Sequence, residues 1–95
     1  MKLIDKYQAT GIIKAGELLL SPADALEFIK EIAEREILIL GVNLWCYVDN
    51  QIAEDPGSLD LSEIDDYQES VSIAKKFISQ SLPEGTAFVS FVLDE

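Results

Sequence analysis

Histidine is absent from this chain of 95 residues and cysteine occurs once, at Cys46. The first absence excludes imidazole acid–base catalysis and His-ligated zinc. The second excludes an internal disulfide and fits a reducing, cytoplasmic setting. Lys and Arg are missing altogether from residues 36–74, between Arg35 and Lys75. Long apolar runs are missing too. The longest, residues 37–44, is interrupted by Asn43 and falls far short of the ~20 residues that a spanning helix needs, so no membrane association is expected. The opening Met1-Lys2-Leu3-Ile4-Asp5 lacks the apolar core and small-residue cleavage site of a signal peptide. No P-loop, dinucleotide fingerprint or nucleophile elbow occurs, and neither a fixed-period repeat nor a low-complexity tract is present.

The basic-free stretch is instead acidic. Glu36, Asp49, Glu54, Asp55, Asp60, Glu63, Asp65, Asp66 and Glu69 give residues 36–74 a charge of −9 out of the chain's −11. Charge concentrated on one segment directs partner choice, and this sign repels nucleic acid and anionic membranes while attracting basic proteins. The plainer reading is that acids solvate a loop and favour a helix's first turn, which accounts for Glu63, Asp65 and Asp66. It does not account for the missing cations, and a docking surface for a basic partner is the reading the pattern favours.

With 48% hydrophobic residues the chain is expected to form one globular domain over residues 1–95. Ile4, Tyr7, Ile12 and Ala15 predict a helix over 3–15, interrupted at Gly11 and ended by Gly16. Ser21-Pro22-Ala23-Asp24 is a helix start, with Ser21 as cap and Pro22 in the first turn. The helix it opens runs over 22–35 with Ala25, Leu26, Ile29, Ile32 and Ala33 as its core stripe.

Residues 37–48 alternate as a strand, with Leu38, Leu40, Val42, Leu44, Cys46 and Val48 predicted to pack on the helices. An isolated Gly41 marks a candidate bulge that would move residues between faces. Residues 49–62 read as a surface loop, with 51–53 a candidate short strand. A second helix signature starts at Ser62 and runs to about Ser81, with Ile64, Tyr67, Val71, Ala74, Phe77 and Ile78 inward, and residues 86–93 alternate as a final strand. The expected fold is α+β, a two-layer domain whose small sheet of two to three strands is covered on one face by two to three helices. A third strand is expected from residues 51–53, the N-terminus or a dimer partner, because two strands alone are marginal.

No catalytic constellation emerges, and an enzyme is not expected. Cys46 falls in mid-strand as a small hydrophobe. The carboxylates lack EF-hand spacing and the water-poor cleft that acid–base work requires, so neither a metal nor another cofactor is expected. Two readings of Trp45 and Tyr47, which share a strand face with Asn43, stay open: an interface anchor, or a face covered by the N-terminal helix.

With Ile39-Leu40-Gly41 in the strand, the acidic loop after it and then Tyr67-x-x-Ser70-x-x-x-Ala74-x-x-Phe77-Ile78, the chain resembles the small α+β immunity proteins of bacterial polymorphic toxin systems, the immunity protein 40 family, over roughly residues 26–93. The resemblance implies a cytoplasmic antidote that neutralises a cognate toxin domain by binding it. On the charge argument the partner-binding residues would be Asp49, Glu54, Asp55, Asp60, Glu63 and Asp66, joined by Asn43, Trp45 and Tyr47. The alternative is a small homodimeric structural or regulatory domain, with Trp45, Tyr47 and Phe88 forming the dimer surface or one for an apolar ligand.

Overall fold

The computed structural model describes residues 2–95. In chain order the elements are α1 (Leu3–Lys6), β1 (Ile12–Lys14), β2 (Glu17–Leu19), α2 (Pro22–Glu34), β3 (Leu38–Val48), β4 (Gln51–Asp60), α3 (Tyr67–Gln80) and β5 (Thr86–Asp94). The strands β4-β3-β5 form a three-stranded antiparallel sheet, and β1-β2 form a separate hairpin. Helices α2 and α3 cover one sheet face through Phe28, Ile29, Ile32, Ala74 and Ile78, packed on Val42, Leu44, Val89 and Phe91. This is the expected two-layer α+β domain.

The predicted N-terminal helix stops after one turn. At Gly11 a Cβ would lie 2.5 Å from the Leu19 carbonyl oxygen, so the chain passes β2 at a distance that only glycine permits. Ala15 and Gly16 follow with φ of 52° and 78°, the left-handed pair of a two-residue hairpin turn. That hairpin is tied to the sheet, since Leu20 and Val89 exchange both backbone hydrogen bonds at 2.9 and 2.8 Å. Leu18 and Leu20 enter the helix-side core, while alternation turns Leu19, also buried, away from it. α1 is held from outside: Tyr7 Oη and Lys6 Nζ both donate to Glu31, and the Tyr7 ring stands edge-on to Phe28.

Ser21 caps α2 as its sequence requires, accepting from the Asp24 N–H at 3.2 Å. The helix closes at Arg35 with Glu36 in the left-handed region at φ 56°, while Glu36 N–H donates to Ala33 and Ile37 N–H to Ile32. Those two bonds are a Schellman closure in which a Glu stands where glycine is usual. The buried stripe includes Phe28, stacked on Phe91 at 5.3 Å, whereas Leu26 and Ala33 are half-buried.

The Gly41 bulge exists and corrects the predicted faces of β3. Ile39 pairs with Leu93 but Gly41 with Val92, leaving Leu40 as the extra residue. Ile37 and Ile39 before the bulge, and Val42 and Leu44 after it, therefore all enter one core. Leu38 and Leu40 are only half-buried because one inserted residue reverses the parity of a strand, whereas Cys46 is half-buried and Val48 exposed at the end of β3, where its pairing with β5 shifts again between Trp45 and Cys46.

The predicted loop at 49–62 is largely a strand. Asp49 and Asn50, with φ of 50° and 65°, form the tight turn between β3 and β4. β4 then pairs with β3 from Gln51 to Asp60, interrupted where Val42 faces Leu59 and Leu44 faces Asp55. Pro56-Gly57-Ser58 bulges there, at a sheet edge where a missing N–H costs nothing. The expected third strand is thus β4, which contains residues 51–53. α3 begins later than predicted: Asp66 rather than Ser62 is the cap, accepting from the Gln68 N–H at 3.2 Å, and Ser70 joins Ala74 and Ile78 as a buried residue.

Candidate functional site

The tight turn and the edge position of β4 arrange the acids as a rail along one side of the molecule. Asp49 lies at the hairpin tip, Glu54, Asp55 and Asp60 follow along β4, and Glu63, Asp65 and Asp66 lead into α3. β4 runs beside residues 41–48 of β3, about 25 Å of extended chain in a molecule whose longest extent is 38 Å. Eight of the nine acids between residues 36 and 69 are exposed and Asp55 is half-buried. The ion pairs among the described residues all lie elsewhere, Lys6 and Arg35 with Glu31 and Lys30 with Glu27.

The structure divides the predicted partner-binding acids by task. Asp55 accepts from the Gly57 N–H at 2.8 Å and holds the bulge. Asp60 accepts from the Ser62 N–H at 2.9 Å, and hydrogen bonding from Ser62 holds its carboxyl below the ordinary carboxylate range. Asp66 caps α3, and Asp49 occupies a left-handed turn position. Each of these acids has a structural role alongside its charge. Glu54 and Glu63 are exposed with no such backbone partner, as are Asp65 and Glu69.

The polar and aromatic members of the predicted site separate as well. Trp45 is 4% exposed, so it is a core residue and not a surface anchor. Its indole Nε1–H donates to Ser90 Oγ at 3.0 Å; Ser90 Oγ–H donates to Glu17 Oε1 at 2.7 Å, and Asn43 Nδ2 donates to the same oxygen at 2.9 Å. Asn43 is thus engaged within the fold. The cover over this part of the face comes from the β2 hairpin side, not from the expected N-terminal helix. Glu17, missed by sequence reasoning, organises the network; its signal was the Ala15-Gly16 pair between two short apolar runs, a hairpin pattern. Tyr47 behaves differently. It is 58% exposed, packs edge-on to Phe88 at 5.9 Å and pairs with Ile52 of β4, which leaves an open apolar corner beside the acids.

Among the described residues there is no pocket, no cluster of three or more His, Cys, Asp or Glu able to hold a metal, and no helix long and apolar enough to cross a membrane. What this surface offers chemically is a line of carboxylates and an exposed strand edge. Comparison with known proteins finds no matching family model, no similar curated protein and no similar solved structure.

Proposed function

We propose that this domain is a non-catalytic, cytoplasmic antidote, an immunity protein that binds and neutralises a cognate basic toxin domain. The observation carrying this reading is the acidic rail: nine carboxylates without an intervening cation, eight of them exposed, all but Glu36 mounted on the β3–β4 turn, the edge strand and the start of α3. A rigid array of one sign raises the association rate for an oppositely charged partner and adds specificity against acidic ones. Of the acids expected at the interface, Glu54 and Glu63 are those whose contribution is separable from folding, and Tyr47 is the aromatic available for a desolvated contact. The resemblance of the Tyr67-to-Ile78 spacing to immunity proteins points to the same class of partner.

Affinity capture with tagged protein from its native host at low salt, followed by a high-salt wash, tests the reading. A stoichiometric basic partner released by salt, and not retained by the double variant Glu54→Lys, Glu63→Lys, is the expected result. Capture that ignores both salt and charge reversal overturns it. A second reading, a homodimer, is favoured by one observation, the exposed corner of Tyr47 and Val48. Sedimentation over a concentration series separates the two, since a dimer through this corner dissociates on Tyr47→Ser.

A further inference from the structure

The sheet ends at β4, and the part of β4 before Pro56 has no strand on its outer side. A two-residue turn makes Val48 and Gln51 a hydrogen-bonded pair, so alternation directs the backbone N–H and C=O of Ile52 and Glu54 away from β3. Outside the strand ladder no backbone hydrogen bond among the described residues occupies them. Natural edges are closed by Lys, Pro or bulges. Here the bulge closes only the far half, and β4 carries no Lys.

An edge of this kind receives another strand, and its charge selects which. A second copy presenting its own β4 would set Glu54 and Asp55 against the same acids, and like charges on neighbouring strands are destabilising. A basic strand gains where the copy loses. On the face that carries Glu54, Ile52 and its cross-strand neighbour Tyr47 supply apolar contact. We infer that residues 51–55 bind an extended segment of the partner by strand addition, a segment in which Lys or Arg alternates with apolar residues. The inference rests on the antidote reading and adds the mode of capture: main-chain hydrogen bonds for affinity, Glu54 and Asp55 for sign.

A synthetic peptide of alternating Lys and Val is the probe, beside the same peptide N-methylated at two adjacent residues, which blocks both of its edges without altering charge. Titrated into the intact protein at low salt, the unmodified peptide is expected to bind and to slow amide exchange at Ile52 and Glu54. The methylated peptide should bind at least about tenfold more weakly. Ile52→Pro, which removes an outward N–H and leaves the β3 ladder whole, should weaken the first peptide alone. Equal binding of the two peptides overturns strand addition and leaves charge-driven docking standing. Failure of both to bind overturns strand addition and the basic-partner reading together. Exchange protection at Ile52 that grows with protein concentration in the absence of peptide assigns the edge to a second copy and also overturns the inference.

Discussion

Ser70 of α3 accepts a hydrogen bond from the backbone N–H of Ile39 at 3.1 Å, across 31 residues of sequence, and its own hydroxyl donates to the Tyr67 carbonyl. Ile39 is the last regular pair before the bulge of β3, and both residues are fully buried. One helix hydroxyl therefore satisfies a donor beside the ladder irregularity and sets helix against sheet.

Ser70→Ala should cost about 1–3 kcal/mol, since it leaves the Ile39 N–H buried without a partner. Denaturant titration measures the loss. An unchanged midpoint would mean that the N–H finds another acceptor.

Ser90→Ala removes both the acceptor of the Trp45 indole and a donor to Glu17. A loss of about 1–3 kcal/mol is expected, with a change in the emission of Trp45, the only tryptophan. Wild-type emission in this variant would place the indole in a different environment from the one described.

Glu36→Gly should stabilise the protein. The left-handed φ at this helix end strains a residue with a Cβ by about 1–2 kcal/mol, and the added freedom of glycine in the unfolded chain offsets about half of that. The net gain is at most about 0.5–1 kcal/mol, reduced by loss of the exposed 3.3 Å contact from the Tyr67 hydroxyl. Thermal unfolding at a single pH is sufficient to read it.

Acid should loosen the α1–α2 contact before the core. Hydrogen bonds from Lys6 and Tyr7 hold the Glu31 carboxyl below its ordinary value of 4.5. A depressed folded pKa contributes stability that is complete above the unfolded value and is lost as pH falls through the folded one. The stability gap between wild type and Glu31→Gln should therefore be constant at neutral pH and close below about pH 4.5. Asp60→Asn should behave alike around its ordinary value of 3.8. A gap that persists at low pH would remove the Lys6 and Tyr7 contacts as its source.

The acidic rail was legible in the sequence as charge, because the absence of Lys and Arg between Arg35 and Lys75 needs no coordinates to be seen. Its shape was not. Pro56, Gly57 and four acids in residues 49–62 have loop composition, yet an edge strand accepts all of them, since its outer side needs neither N–H groups nor apolar cover. Trp45 went inside for a related reason: the partners that satisfy its indole, Ser90 and through it Glu17, lie 45 residues after it and 28 before it.

The chain alone determined what a few neighbouring residues decide. The cap of α2 at Ser21, the extended chain expected over 37–48 and 86–93, and the sign of the surface all follow from local spacing, capping hydrogen bonds and charge, which act within one or two turns of chain. Tertiary structure decided which face of β3 is buried, where α3 begins, and that residues 12–15, expected as the end of a helix over 3–15, belong to a hairpin. Those outcomes depend on pairing between distant segments. One extra residue at Leu40 reverses every side chain beyond it, and the approach of Gly11 to Leu19 exists only once both strands are in place.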